Sequence, residues 1–341
     1  MDLEQTNSAI RHAKRRGNRS RDGVEILARL IAEGRLGPDI GVACRGKVDG
    51  AGAQAMAKIS AMAVAKFAGC RYFHAPFTSM SHAAGDRQDW AGRWEAFLDL
   101  GAGERPVPED AEPVPLAAAV QDPALYAGRP VVIVERMFHL PEAAGWRIRD
   151  GLRDALRAKY WGSPKAAIPS HRAPAGLTAA IHLRRGDVNP SSHAERYVRN
   201  EVVLRHIARL REAIVPFGRP LTINLYSEGA AEDFRAFADA GCNLHIGADT
   251  FETFHNMVTA DILMSATSMF SYLAGLLSRG VVLDHRGRAP ELANWLHRRP
   301  DGSIPVKRLR RALLERVGWV EQARYRVRLW RRRWTERRAD T

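Results

Sequence analysis

The sequence predicts an α/β protein made of two doubly wound domains. Short apolar runs typical of buried strands alternate with stretches of helical periodicity along most of the 341 residues. The alternation pauses at a proline-rich segment, residues 164–174, and then starts again. We therefore predict two Rossmann-like domains. The expected divisions are a flexible basic head over 1–22, a first domain over 23–170, a second domain over 171–306 and a basic amphipathic tail over 307–341.

The first predicted domain opens with a strand, a glycine-rich loop and a helix. An apolar strand over 39–45 runs into the glycine-rich segment 46–54, and an apolar helical pattern follows. Residues 105–130 hold six of the 18 prolines, which lack a backbone N–H, so we expect an irregular surface excursion there. The other elements expected in this half are strands over 71–76 and 131–134 and helices over 55–67, 90–97 and 146–161.

The second predicted domain repeats the strand-then-helix order. Because parallel strands joined by helices all end at one edge of their sheet, the residues that follow these strands are the ones placed to bind a ligand. The expected strands cover 177–181, 221–226, 243–246, 261–265 and 281–283, and the expected helices 231–240, 250–259 and 271–278.

A net charge of +14 first suggests a polyanionic partner. The charge is concentrated at the ends of the chain, however. Residues 307–338 hold thirteen Lys or Arg against three Glu, and residues 1–22 hold six against three Asp or Glu. The body between them carries only about +2. We therefore expect no nucleic-acid partner for the folded body.

Other compositional features restrict the function class further. No apolar run approaches the roughly 20 residues that span a bilayer, and residues 1–21 are polar and basic, so we expect neither a transmembrane helix nor a secretory signal and predict a cytoplasmic protein. The cysteines, Cys44, Cys70 and Cys242, form no C-x-x-C pair, which indicates neither a disulfide framework nor a zinc site. No histidine or acidic motif has metal-ligand spacing, so no metal or other cofactor is expected.

The strongest candidate for chemistry is Ile181–Asp187 (IHLRRGD), where the first strand of the second domain ends. Arg184 and Arg185 suit a diphosphate, because each guanidinium offers paired donors and a permanent charge. They could also stabilise the charge that develops as a diphosphate leaves a sugar. The alternative is a surface ion pair of either arginine with Asp187.

A second cluster, residues 261–268 (DILMSATS), is a strand that ends in a hydroxyl-rich turn before a helix. Ser265, Thr267 and Ser268 could bind phosphate oxygens together with free backbone amides. The alternative for Thr267 and Ser268 is helix N-capping. Upstream, Asp249 and Glu252 could accept hydrogen bonds from guanine, or stabilise the start of a helix.

Two further features are weaker. Residues 50–54 (GAGAQ) match neither a nicotinamide-type fingerprint nor a phosphate-binding P-loop, and they indicate only a backbone that can approach a ligand closely, at Gly52 and Gln54. Ser227 follows an apolar strand, as a residue of a binding loop would, but it lies in no G-x-S-x-G motif.

These residues together resemble a known family. His182–Asp187 (HLRRGD) resembles the H-x-R-R-x-D motif of the GDP-fucose-dependent α-1,2-, α-1,6- and protein O-fucosyltransferases. Residues 50–54 are similar to the G-x-G-N-Q loop of that superfamily, with Ala53 in place of its asparagine, and 252–277 look like its late nucleotide-binding motif. The three matches occur in the family's order.

The resemblance implies a GT-B architecture, in which two Rossmann-like domains face each other across a cleft. It also implies inverting, metal-independent transfer of a sugar from a GDP-sugar, such as GDP-fucose, to a hydroxyl of a glycan or lipid-linked glycan. By position, His182 would contact the nucleotide, Arg184 and Arg185 the diphosphate, and the three hydroxyl residues of 265–268 the phosphates. Glu252 would lie near the guanine. Asp187 is either a base or a partner that orients Arg184.

Two other hypotheses remain open at the level of sequence. One is a transferase of the same architecture that uses another nucleotide sugar in surface-polysaccharide synthesis. The other is a non-catalytic protein that binds a membrane or nucleic acid through its basic tail. Leucines and tryptophans at helical spacing among the arginines of 307–338 favour peripheral binding to an anionic membrane, especially for 324–338. For the first half of the tail, a helix packed across the two domains is an equal alternative.

Overall fold

The computed structural model describes residues 23–36, 40–45, 48–81, 89–126, 131–134, 151–285, 292, 294–318 and 321–330. The chain divides into two compact units. The first comprises Met1–Lys165 with Ala289–Leu292, and the second comprises Ala166–Arg288 with Ala293–Thr341. The predicted head over 1–22, residues 146–150 of a predicted helix, and the end of the tail after residue 330 lie outside the described residues.

The first unit contains a five-stranded parallel sheet in the order β3-β2-β1-β5-β4. Its strands are β1 (Gly41–Ala43), β2 (Arg71–His74), β3 (Arg105–Pro106), β4 (Glu112–Val114) and β5 (Val131–Val134). Its helices are α1 (23–32), α2 (Ala51–Ala68), α3 (Trp90–Leu98), α4 (Leu116–Gln121) and α5 (Arg153–Gly162). The order is doubly wound, because the chain runs from β1 to β2 and β3 on one side and then crosses to β4 and β5 on the other side of β1.

Two sequence predictions for this unit are wrong. The proline-rich segment is not an irregular excursion: it contributes β3, β4 and α4, because its prolines lie at positions that need no N–H, such as the edge strands and the residue before α4. The glycine-rich loop is shorter than expected, since α2 starts at Ala51 with Gly50 as its N-cap. Gly52 and Gln54 therefore lie in the first turn of the helix.

The second unit contains a six-stranded parallel sheet in the order β11-β10-β9-β6-β7-β8. The order reverses between β6 and β9, which are adjacent although more than 75 residues separate them in the chain. Its strands are β6 (Leu177–His182), β7 (Leu221–Ser227), β8 (Asn243–Ile246), β9 (Ile262–Met264), β10 (Val281–His285) and β11 (Leu296–Arg298). Its longer helices are α6 (Asn200–Ile214), α7 (Arg235–Asp239), α8 (Thr250–Thr259), α9 (Met269–Leu277) and α10 (Val306–Leu314).

Strand alternation gives this sheet one largely apolar face. Leu177, Ala179 and Ile181 of β6 join apolar residues of β7, β9 and β10 in one buried cluster with α6 and α10. The opposite face holds His182, Tyr226 and other polar or aromatic side chains. The α/β fold class with two Rossmann-like units, predicted from the alternation of strands and helices, is confirmed.

The tail packs on the second unit along the described part of its length. Leu309 and Leu313 of α10 are buried in the apolar cluster, and Arg310 donates from Nε to the Ala213 carbonyl at 3.0 Å. A further helix, α11 (321–330), buries Tyr325 against Phe217 with ring centroids 4.9 Å apart. No helix of the described residues is long and apolar enough to cross a bilayer.

Candidate active site

The candidate site lies where the strand order of the second sheet reverses, between β6 and β9. We call this position the reversal point. Ile181 of β6 pairs with Met264 of β9, so the segments that follow both strands leave the same sheet edge side by side. Ligands of doubly wound sheets bind at this kind of position, outside the carboxyl ends of the strands. The two clusters predicted from the sequence, 181–187 and 261–268, therefore meet.

Arg184 links the two clusters. Its Nε and Nη2 donate to the two carboxylate oxygens of Asp187, at 2.9 and 2.5 Å, and its Nη1 donates to Ser268 Oγ at 3.1 Å. The paired bonds to Asp187 hold the plane of the guanidinium in one orientation. Arg184 thus forms the ion pair with Asp187 that the sequence left as an alternative, and this geometry suits an orienting role for Asp187. A role of Asp187 as a base stays a prediction.

Ser268 is at once the N-cap of α9 and a partner of Arg184. Its Oγ accepts from the Phe270 N–H at 3.3 Å as well as from Arg184. Because the hydroxyl oxygen accepts both bonds, its own hydrogen can donate to a ligand oxygen. The capping role and the phosphate-binding role that the sequence left as alternatives are compatible in this geometry.

Arg185 is directed into the protein rather than toward this edge. Its guanidinium donates to the carbonyls of Arg184 and Val198, at 3.0 and 2.7 Å, and to Asn200 Oδ1 at 2.7 Å. It also lies 4.2 Å from the centroid of the Tyr197 ring. These contacts tie the end of β6 to the start of α6, which makes Arg185 a positioning residue for its neighbour in this structure.

Two buried polar atoms beside the reversal point have no hydrogen-bond partner among the described residues. They are Nδ1 of His182, at the end of β6, and Oγ1 of Thr267, in the turn after β9. Burial and the charge of Arg184 lower the pKa of His182 to about 3, so the imidazole is neutral at physiological pH. Since buried polar groups are nearly always paired, these atoms indicate a ligand or water at the site.

Ser265 lies deeper than predicted and is not exposed to a ligand. Its Oγ donates to Asp284 Oδ1, and its carbonyl accepts from Arg298 Nη2 at 2.5 Å. Ser265 is fully buried, and burial raises the pKa of Asp284 and lowers that of Arg298 to about 10. This network supports the turn that carries Thr267 and Ser268. No pattern in the sequence marked Asp284 and Arg298, which belong to β10 and β11, because only the fold reveals how these strands pair.

Ser227 and Gly186 support the backbone after β6. The Ser227 hydroxyl donates to the Leu183 carbonyl at 2.6 Å and is buried, so it stabilises the strand end rather than facing a ligand. Gly186 has φ of +71°, and a Cβ there would lie 2.8 Å from Glu228 Oε2. The Glu228 side chain could move away, but the positive φ would strain any other residue in the turn between Arg185 and Asp187.

Glu252 belongs to a separate polar cluster. Its carboxylate accepts from His171 Nε2 at 2.8 Å, while the His171 ring stacks on His245 with centroids 4.0 Å apart. His171 Nδ1 lies 2.9 Å from the Tyr226 hydroxyl. Asp249 caps α8 through the N–H groups of residues 251 and 252. The capping alternative for Asp249 is correct, and the predicted guanine contact of Glu252 competes with His171.

Gly52 and Gln54 lie in the first unit. Gly52 is a buried residue within α2, and Gln54 donates from Nε2 to the carbonyls of Asp49 and Ser79, both at 2.7 Å. The structure thus brings Arg184, Asp187, His182, Thr267 and Ser268 to one edge, with Arg185, Ser227 and Ser265 behind them. Among the described residues no group of His, Cys, Asp and Glu has the arrangement of a metal site.

Comparison with known proteins gives only remote structural matches. No family model matches the chain, and no curated protein matches it. Matching solved structures include the fucosyltransferase NodZ from Bradyrhizobium, at 13% identity and a TM-score of 0.41, covering 73% of this chain and 97% of that one. Another is POFUT1 in complex with GDP, at 12% identity and a TM-score of 0.33, covering 72% and 97%.

A third match is the E. coli heptosyltransferase WaaC with ADP-2-deoxy-2-fluoro heptose. It is 14% identical, with a TM-score of 0.39, and covers 82% of this chain and 100% of that one. Because these identities and TM-scores are so low, the matches do not assign a function, and any assignment must be based on the residues of the site.

The buried histidines of this unit predict a loss of stability in acid. Burial lowers the pKa of His182 to about 3 and that of His206 to about 4, whereas in the unfolded chain both take up a proton near 6.5. As the pH falls below 6.5, protonation therefore favours the unfolded state. We expect each histidine to cost about 2 kcal/mol of unfolding free energy at pH 5 relative to pH 8.

Urea denaturation at pH 8, 6 and 5 measures this loss. The variant His206→Gln, whose amide nitrogen can take the place of Nε2 in the hydrogen bond to the Arg299 carbonyl at 2.9 Å, is expected to show a shallower pH dependence than the wild type. If the free energy of unfolding fell equally steeply with falling pH in both proteins, the lowered pKa of His206 would be contradicted.

Proposed function

We propose that this protein is an inverting, metal-independent glycosyltransferase that binds a GDP-sugar, with fucose as the sugar, at the reversal point of its second sheet. The observation that carries the proposal is the bridge from Arg184 to Ser268 across β6 and β9, beside two unpaired polar atoms of His182 and Thr267. A diphosphate offers several acceptor oxygens to such donors. The choice of GDP-fucose depends on the resemblance of residues 182–187 to the fucosyltransferase motif.

The hydrogen-bond donors of Arg184 and Ser268 suit the departure of a diphosphate. In the proposed reaction, an acceptor hydroxyl attacks the anomeric carbon as the bond from that carbon to the diphosphate oxygen breaks. The electron pair of this bond leaves with GDP, and the hydroxyl proton passes to a base or to water. Arg184, with Ser268, meets the negative charge that grows on the leaving group, so its bonds strengthen toward the transition state.

The neutral state of His182 suits a contact with the nucleotide. A neutral imidazole can offer Nδ1 to a nucleotide group as donor or acceptor, and it adds no proton that could be lost between pH 5 and 8. Arg185 would act indirectly, by fixing the backbone from which Arg184 projects.

A panel of nucleotide sugars tests the donor. We expect GDP-fucose to raise the melting temperature of the full chain in the presence of EDTA, and UDP- and ADP-sugars to leave it unchanged. Stabilisation by a UDP- or ADP-sugar alone would favour the same-fold alternative with another donor. Stabilisation by no nucleotide sugar would contradict the proposal.

We further propose that α11 holds the protein on an anionic membrane surface at the cytoplasmic side, near a lipid-linked glycan acceptor. The face of α11 opposite the buried Tyr325 carries Val327 and Trp330, which are 51% and 65% exposed, beside the exposed Arg324 and Arg326. Exposed aromatic and aliphatic groups flanked by arginines suit the interface of an anionic bilayer.

Liposome flotation tests this surface. We expect the wild type to float with vesicles that contain anionic lipid and to remain behind with neutral ones, and Trp330→Ser to weaken flotation several-fold. Arg209→Ala, which removes an exposed arginine from α6, serves as the control. Flotation that is indifferent to lipid charge, or unaffected by Trp330→Ser, would contradict the assignment.

A further inference from the structure

The first unit contains a cavity of about 340 Å³ at the carboxyl edge of its own sheet. The cavity is lined by the last residues of β2 and β3, by the residues that follow β1, β2 and β3, and by one face of α2. This volume lies within the range of sites for small ligands. The lining residues are Cys44, Arg45, Gln54, Lys58, His74, Ala75, Pro76, Thr78, Pro106 and Val107.

The charges on the wall are all of one sign. Arg45 and Lys58 bring cations to the cavity, and Gln54 and Thr78 add neutral polar groups, whereas the described lining residues include no Asp or Glu. The carboxylate of Glu95, which acts on Lys58, is not among the lining residues and is engaged by His74 Nε2 at 2.6 Å and by the Phe77 N–H at 3.0 Å. The wall is therefore complementary to an anion.

Lys58 is the least expected of these residues. It lies in the alanine-rich helix α2 and is 4% exposed. Its ammonium group donates to the Ala75 carbonyl and lies 4.8 Å from the centroid of the Phe77 ring. Burial lowers its pKa, and the negative charge of Glu95 offsets only part of this effect, so an anion bound in the cavity would stabilise the charged ammonium further. One donor is used by Ala75, which leaves the others for a ligand.

The loop that closes the cavity is firmly held. Along residues 75–79, the Ala75 carbonyl accepts from Lys58, the Phe77 N–H donates to Glu95, and the Ser79 carbonyl accepts from Gln54 at 2.7 Å. Three side chains from two helices thus hold the loop in place, so the positions of the polar groups around the cavity are defined before a ligand arrives.

We infer that this cavity binds the anionic group of a sugar, a carboxylate or a phosphate, through Arg45 and Lys58. If the proposed function holds, the sugar belongs to the acceptor, which is then an acidic glycan or a sugar phosphate. Binding of the anion itself depends only on the first unit and can be measured without the donor.

Ligand-observed NMR on the full chain tests the inference with glucuronate, glucose 6-phosphate and neutral glucose as probes. We expect at least one of the charged sugars to bind and glucose not to bind. Binding of glucuronate alone assigns a carboxylate, and binding of glucose 6-phosphate alone assigns a phosphate. We expect Arg45→Ala and Lys58→Met each to weaken this binding about tenfold.

Arg45 is exposed, so its variant is expected to fold even if Lys58→Met does not. Arg71→Ala is the matched control, because Arg71 starts β2 at the opposite edge of the sheet, and it is expected to bind the probes like the wild type. Binding of glucose as tight as that of the charged sugars, no binding of either charged sugar, or wild-type binding by Arg45→Ala would overturn the inference. Charged-sugar binding in a protein that binds no GDP-sugar would refute the proposed function and leave the cavity assignment intact.

Discussion

Arg184→Lys is expected to weaken GDP-sugar binding by about 30- to 100-fold, although the positive charge is retained. An ammonium group cannot donate in parallel to both oxygens of Asp187 and also reach Ser268, as the guanidinium does at 2.9, 2.5 and 3.1 Å. The substituted side chain would lose its fixed direction at the reversal point. The loss in kcat/KM is expected to be larger than the loss in binding, because the same bonds stabilise the leaving diphosphate.

The matched control is Arg209→Lys. Arg209 also pairs with a carboxylate three residues along, Glu212 at 2.8 Å, but on the exposed surface of α6. It is expected to bind donor like the wild type. If both variants bound donor equally well, Arg184 would have no special part in the site.

Asp284→Ala is expected to lower the free energy of unfolding by about 1–3 kcal/mol. Arg298 is 5% exposed, and Asp284 is the carboxylate whose charge offsets its burial. The substitution would leave this guanidinium buried without its anion and would remove the acceptor of the Ser265 hydroxyl. Chemical denaturation monitored by circular dichroism measures the change.

The double variant Asp284→Ala with Arg298→Met separates charge from packing. Because it removes both charges, it is expected to recover most of the stability lost in the single variant. Asp239→Ala, at an exposed carboxylate, should change stability by no more than about 0.5 kcal/mol. If the double variant were less stable than Asp284→Ala, the electrostatic explanation would be wrong.

Local patterns in the sequence were sufficient to predict the class of fold. Apolar strands such as Leu177–His182 and Leu221–Ser227 carry their own signal, and the turns after them place polar residues at one edge. The meeting of Arg184 with Ser268 could be expected for this reason, since both follow strands of a doubly wound sheet. The short strands of the proline-rich segment lacked such a signal.

Partners distant in the chain could not be predicted. Glu252 is engaged by His171, 81 residues earlier, and Ser265 by Arg298, 33 residues later. Nothing in the local pattern of either residue marks the partner, because the pairing depends on strand order and helix packing. For the same reason, the sequence did not distinguish Arg184, which faces the edge, from Arg185, which turns toward α6.

Packing limits which residues of the tail can contact a membrane. Leu309, Leu313 and Tyr325 of the predicted membrane-binding segment are buried in the second unit, so these apolar residues are not available to a bilayer. Only the face of α11 opposite Tyr325, which carries Val327 and Trp330, remains available to a bilayer. The membrane proposal therefore concerns one helix face rather than the whole tail.

Calorimetric titration of the full chain with GDP-fucose tests the central claim most directly. We expect binding at one site with EDTA present, competition by GDP, and loss of the signal in Arg184→Lys under the same conditions. Absence of heat with GDP-fucose and with GDP, from a protein shown by circular dichroism to be folded, would contradict the assignment of the reversal point as a nucleotide-sugar site.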